Sequence, residues 1–381
     1  MHKKLLLILI ALFSALLTTG CWNYIGLNEM TVVAGVAIDK SGDEYQLSFE
    51  IYDLQDTATG EPIKTEIVQS TGKTIFDAVR NAKKRVANKL YFAETRIIIV
   101  SEEIAEDDGL NTVMNWFYRD PEVRETLRVV VSQERSAVAL LKVDSLTSSS
   151  VSADIENMVE KDLKITGATV SMPIYKVYNI LNFEGESLTL SAIHLTNNNG
   201  EKVCEVNGIA LFKEDKLVDY LSSDDSKYYL LAKGELEGGI ITIKTKIKSD
   251  DTEPQNLSLE IKKTSSSRKY ISFDPNNLAY KISTKVQVTI GELRDQSDKL
   301  KDEDLLKLQN EAGDIIKDRI KSVIEKIQEE YKTDVIGYGD TLYRSNPKVW
   351  KKVKENFQEK FTNINTEVEC EVEIYNTGFT K

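Results

Sequence analysis

If the segment from Asp302 to Tyr331 is wound as an α-helix, Leu305, Leu308, Ala312, Ile315, Ile316, Ile320, Val323, Ile324, Ile327 and Tyr331 fall along one side. Arg319 joins them, while acids and lysines take much of the opposite side. At 1.5 Å per residue such a helix is about 45 Å long. Its apolar stripe is broader than the two-position seam of a coiled coil, which stays the alternative, and it suits the face of a sheet. Neighbouring segments supply strand patterns. Ile240 to Ile247, Leu257 to Lys263 and Lys281 to Ile290 alternate with a period of two, and so does Thr366 to Tyr375. Between the long helix and that last strand, Asn346 can cap a helix whose first residue is Pro347. Trp350, Val353, Phe357 and Phe361 then recur at i, i+3, i+7 and i+11.

The earlier half of the chain reads as strands alternating with helices. Thr31 to Asp39 and Tyr45 to Tyr52 are strand-like around the loop Lys40 to Glu44, and Glu66 to Ser70 adds another. The period then changes: Ile75, Val79, Ala82, Val86 and Leu90 share a helical face, with Thr74 and Asp77 as an N-terminal cap. Lys83, Lys84, Arg85 and Lys89 crowd its later turns, where the helix dipole favours cations. Arg96 to Val100 and Leu127 to Val131 are strand-like, and Gly109 to Tyr118 and Ile155 to Leu163 are helical. Thr196 to Gly200 (TNNNG) is either a linker or a hairpin loop. Beyond it, Val206 to Phe212 and Leu217 to Leu221 form a strand pair, and a short helix over Ser222 to Ala232 ends at Gly234. The expected fold class is multi-domain α+β, with mixed sheets and helices and a long amphipathic helix near the C-terminus. The expected division is 1–20 signal peptide, 21–195 N-terminal α/β domain, 201–265 strand-rich middle domain and 275–381 C-terminal α/β domain.

MHKKLLLILIALFSALLTTGC has a basic head at Lys3 and Lys4, then an apolar run from Leu5 to Phe13 that is short for a permanent membrane helix. It reads as an export signal. Leu17-Thr18-Thr19-Gly20-Cys21 resembles the bacterial lipobox, in which the cysteine thiol accepts a diacylglycerol and cleavage precedes the cysteine. An ordinary secretory peptide with a chance cysteine is the competing reading. Two acyl chains, at about 0.8 kcal/mol per buried CH₂, give a stable tether without a spanning helix. Loss of Lys3 and Lys4 changes the net charge from -12 to -14, with 47 basic against 61 acidic residues. That sign excludes an extended nucleic-acid surface, which needs clustered Lys and Arg.

The chain carries little that resembles a catalytic centre. His194 is the one histidine left after the leader, so histidine-based zinc sites and triads fit poorly. GxSxG, HExxH, CxxC and GxxxxGK[ST] do not occur. Gly337-Tyr338-Gly339 lacks the third glycine and the strand-turn-helix setting of a dinucleotide loop, and reads as a tight backbone passage that Asp334 caps or braces. Cys204 and Cys370 are the only pair left for a disulfide once Cys21 is modified. The alternating context of Cys370 suits a small buried hydrophobe instead.

Several blocks together resemble a known family. Cys21-Trp22, Leu27-Asn28-Glu29, the glycine-bearing TVVAGVAIDK, LYFAETRIIIVSEEIA, Arg119-Asp120-Pro121-Glu122 and GIALFKEDKLVDYL occur in order. YKTDVIGYGDTLYRSNPKVWKKVKENF then carries Asp334, Gly337, Gly339, Asn346, Pro347 and Trp350. These resemble the Ger(x)C family, the lipoprotein C subunit of bacterial spore nutrient germinant receptors. Asp219 stands where the family usually has Gly, Phe357 where Trp is common, and Asn376-Thr377-Gly378 replaces a more basic run. The resemblance implies a non-enzymatic subunit without cofactor or metal, required for receptor assembly or signalling. It implies partnership with the A and B membrane subunits and a lipid anchor at Cys21 in the spore inner membrane, with the folded body on the outer face. Trp22, Asp334, Gly337, Gly339, Asn346, Pro347 and Trp350 become structural or partner-facing candidates. A substrate-binding lipoprotein serving a membrane transporter is the second reading, and would show two lobes around a ligand cleft.

Overall fold

The computed structural model describes residues 3–4, 26, 29–53, 63–246, 253–272, 274–292 and 301–376. The lipobox, Cys21, Trp22, Leu27, Asn28, Thr377 and Gly378 lie outside them. No described helix is long and apolar enough to cross a membrane.

Runs such as Ile97-Ile98-Ile99-Val100 and Val129-Val130-Val131 have apolar side chains on both sides of the strand, which requires a sheet covered on both faces. That sheet has nine strands: β1 (Met30–Ser41), β2 (Glu44–Asp53), β3 (Lys64–Gly72), β4 (Lys89–Tyr91), β5 (Ile97–Ser101), β6 (Arg128–Ser132), β7 (Thr189–Asn198), β8 (Glu201–Lys213) and β9 (Lys216–Leu221). Its order is β3-β2-β1-β5-β6-β7-β8-β9, with β4 beside β1. The centre, β1-β5-β6-β7, is parallel, and antiparallel strands flank it on both sides. Among the described residues five α-helices lie between its strands: α1 (Ile75–Ala82), α2 (Leu110–Arg119), α3 (Val138–Leu141), α4 (Val151–Ile165) and α5 (Ile174–Asn182). α1, α2 and α5 pack with Val36, Ile38, Ile98 and Val131 on one face. α3 and α4 pack with Ala37, Ile97, Ile99 and Val130 on the other. Two buried carboxylates in the strands receive helix N-termini. Asp39 accepts from the N–H groups of Ala137 and Val138 at 2.6 and 3.1 Å, and Glu50 from those of Val151 and Ser152 at 3.0 and 2.9 Å.

The Thr74 hydroxyl caps α1, accepting from Asp77 N at 3.1 Å, but the helix stops well before Val86 and Leu90. Lys83, Lys84 and Arg85 donate to carbonyls three residues back, a tightening that ends the α-helix. Leu90 is then free to pair with Thr31 as part of β4. TNNNG is no linker: Thr196 to Asn198 end β7, paired with β8, and Asn199 and Gly200 make the hairpin turn at φ 55° and 94°.

α6 (Ser223–Lys233) leads from β9 into the second sheet: β10 (Gly239–Thr245), β11 (Gln255–Tyr270), β12 (Ala279–Glu292) and β13 (Asn365–Asn376), in that order. The stretch 201–265, expected to form a middle domain, is therefore divided: β8 and β9 complete the first sheet, while β10 and β11 open the second. α6 is capped by Ser222, whose hydroxyl accepts from Asp225 N at 3.2 Å, and ends at the left-handed Gly234. α7 (Asp302–Lys326) lies on the second sheet, burying Leu308, Ala312, Ile316, Ile320 and Val323 against Val286 and Val288. Ile327–Tyr331 continues it as a π-helical turn in place of the expected regular helix. The wider turn sets Gln328 inside, where its amide donates to the carbonyls of Phe361 and Ile364 at 2.8 and 3.0 Å. α8 (Tyr338–Ser345), α9 (Pro347–Val353) and α10 (Phe357–Phe361) complete the connection to β13, which runs parallel to β12. Cys204 and Cys370 are free thiols on different sheets, and burial pushes the pKa of each up to about 12.

Candidate functional site

The best organised polar site lies where the two sheets meet. Thr333 to Asp340 leaves the end of the α7 segment and crosses to the loop Phe183 to Ser187, which joins α5 to β7. Asp334 is 2% exposed and its carboxylate accepts three backbone N–H bonds, from Gly337 at 2.9 Å, Tyr338 at 3.1 Å and Gly339 at 2.8 Å. Burial outweighs those donors and, with the negative Glu186 nearby, raises its pKa to about 6. The turn needs its two glycines for different reasons. Gly337 sits at φ 81°, a left-handed geometry. Gly339 lies so close to Gly185 that a Cβ would stand 2.6 Å from the Gly185 oxygen.

The turn holds both halves. Asp340 N donates to Gly185 O at 2.7 Å, and Ser187 N donates to Asp334 O at 2.9 Å. The Thr333 hydroxyl donates to Phe212 O at 2.7 Å and meets the Ser187 hydroxyl at 2.8 Å. Tyr229 of α6 donates to Val335 O at 3.0 Å, and Lys233, buried beside it, pairs with Glu186. On the side of the second sheet, Tyr338 is fully buried and stacks on Tyr280 with centroids 4.3 Å apart. The Tyr280 hydroxyl donates to Tyr338 O at 2.9 Å, and the Tyr338 hydroxyl meets that of Thr366 at 2.7 Å.

Asn346, Pro347 and Trp350 belong to the next helical corner. The Asn346 side chain accepts from Val349 N at 3.3 Å and Pro347 occupies the first turn of α9. Trp350 is buried, edge-on to Phe357 with centroids 5.1 Å apart. Asp334, Gly337 and Gly339 thus form one knot, and Asn346, Pro347 and Trp350 shape the helices after it. Sequence reasoning missed the receiving side: Gly185, Glu186, Ser187 and Lys233. Only the glycine between two acids in Phe183-Glu184-Gly185-Glu186 marked a turn there. His194 is at 3.3 Å from Glu205 and 3.5 Å from Asn207 on neighbouring strands. Among the described residues no group of three His, Cys, Asp or Glu side chains could hold a metal ion.

Fold and site together define a mixed α+β protein of two sheets, whose most elaborate polar cluster fastens one sheet to the other. Two family models match it: a spore germination protein N-terminal domain over residues 23–195 and a spore germination B3/GerAC-like C-terminal domain over residues 207–378. The chain belongs to this spore germination GerAC-like family. It is 24% identical to spore germination protein KC of Bacillus subtilis (strain 168), over 99% of this chain and 97% of that protein. Spore germination protein B3 of the same organism is 24% identical over 96% of each chain. The crystal structure of the GerBC protein shares the fold, with a TM-score of 0.58 and 22% identity, covering 90% of this chain and 97% of that one.

Proposed function

We propose that this chain is the non-enzymatic C subunit of a spore nutrient germinant receptor, lipid-anchored through Cys21 to the spore inner membrane. In this reading its folded body stands on the outer face beside the A and B membrane subunits and serves receptor assembly or signalling. The observation that carries the proposal is the pair of family matches, which together take in nearly the whole chain after the leader. Asp334, Tyr338, Tyr229 and Lys233 are buried at the junction and fasten the turn from Thr333 to Asp340 to both halves. A tether adds affinity for membrane partners by raising effective concentration, without contacts of its own. The test is fractionation and partner capture from spore membranes. The native chain should partition with the membrane and bring down A and B subunits, and Cys21→Ala should shift it to the soluble fraction. Membrane retention of that variant, or capture of transporter components without receptor subunits, would overturn the reading.

A further inference from the structure

α5 has an unusual outer surface. Ile174 and Val177 are buried in the first core, while Tyr175, Tyr178, Asn179 and Asn182 follow at i, i+3, i+4 and i+7 on another side. An exposed stripe at this spacing is ordinarily charged, yet this one is aromatic and amide. Tyr175 and Tyr178 are 42% and 48% exposed. The stripe does not face open solvent alone, for a cavity of about 660 Å³ lies between α5 and the end of α2. Asn115, Tyr118 and Arg119 of α2 and Glu125 share its wall. Tyr118 stands edge-on to Tyr178 with centroids 4.9 Å apart, and its shielded hydroxyl has no hydrogen-bond partner among the described residues.

The lining has a definite chemistry. Tyrosines present flat apolar faces with a polar tip, and the amides of Asn115 and Asn179 offer both donors and acceptors, while that of Asn182 donates to the Tyr178 carbonyl at 2.8 Å. Neutral groups that can give or take a hydrogen bond dominate, with one cation and one anion at Arg119 and Glu125. A pyranose ring matches this set: its C–H faces lie against aromatic rings while its hydroxyls both donate and accept. The volume lies within the range of small-ligand cavities. We propose that the α2–α5 cavity binds a pyranose sugar, either free or as a unit of a glycan chain. α5 runs straight into Phe183 to Ser187, so an occupied cavity would bear directly on the loop that grips Asp334 and Asp340.

The test is saturation-transfer NMR on the full lipidated chain in lipid nanodiscs, with methyl β-D-glucopyranoside and N,N′,N″-triacetylchitotriose as probes at up to about 20 mM. Transfer to ring protons of at least one probe is expected. Tyr178→Ala should weaken binding about 10-fold or more, and Asn179→Ala, which removes one exposed amide of the lining, about 3- to 10-fold. Both variants should keep the native circular dichroism spectrum and melting transition, and Tyr375→Ala, exposed on β13, should bind as the native chain does. Binding of both probes assigns the site to free sugars, and binding of the trimer alone assigns it to glycan chains. Absence of transfer from either probe would overturn the proposal, as would binding unchanged in both variants. So would transfer confined to a zwitterionic probe such as alanine.

Discussion

Replacing Asp334 by Asn tests the energetics of the junction through its pH dependence. The folded value of about 6 lies above the ordinary 3.8 because burial disfavours the charged form. A group shifted in this direction contributes stability fully below pH 3.8 and loses it as pH rises through 6, since the unfolded chain ionises first. The difference of about 2.2 between those values, at about 1.36 kcal/mol each, amounts to about 3 kcal/mol. The amide of Asp334→Asn is neutral at every pH and resembles the protonated acid, so the variant lacks this loss. The stability advantage of the native chain over Asp334→Asn should therefore shrink by a little over about 2 kcal/mol between pH 4 and pH 7.5, the unfolded acid being already more than half ionised at pH 4. The assay is urea unfolding at each pH, followed by circular dichroism and by tryptophan fluorescence. With a slope of about 3 kcal/mol/M the relative midpoints should move by about 0.8 M. An advantage that stays constant, or grows with pH, would refute the reasoning. It would mean that the three N–H donors from Gly337, Tyr338 and Gly339 hold the carboxylate ionised more strongly than burial opposes it.

Gly339→Ala drives a methyl group against the Gly185 backbone and should cost about 2–3 kcal/mol, seen as a melting temperature lower by about 3–4 °C. A melting temperature within a degree of the native chain would contradict the close approach. In the Cys21→Ala variant, Cys204 and Cys370 should resist iodoacetamide at pH 8 in the folded protein and react fully in urea, because burial holds both thiols protonated. Rapid alkylation of the folded chain would show that one of them is accessible.

Local signals in this sequence were readable where a short-range rule decides the outcome. Ser222 and Gly234 bracket α6 as capping chemistry requires, and the breadth of the stripe beginning at Leu305 correctly called for a sheet beneath it. The bracing of Gly337 and Gly339 by Asp334 was legible too, since all three lie within six residues of chain. What stayed hidden depends on distant partners. Alternation in β8 and β10 says that each is a strand, not which sheet it joins, so the division of 201–265 could not be read. Thr333 and Ser187 meet across 146 positions, and no period in either segment announces the contact. α5 was missed because its outer side carries tyrosines, which blur the contrast between buried and exposed faces on which helix recognition depends.

β12 and β13 are hydrogen-bonded neighbours, yet every residue of α7 to α10 is threaded between them. The antiparallel meander from β10 to β12 can zip up from nearby contacts, whereas its fourth member must wait for a distant return. A chain interrupted ahead of Asn365 would leave the flank of β12 unpaired, an open template for a second molecule. Premature termination in that interval should thus yield sticky, self-associating material instead of a merely shortened subunit.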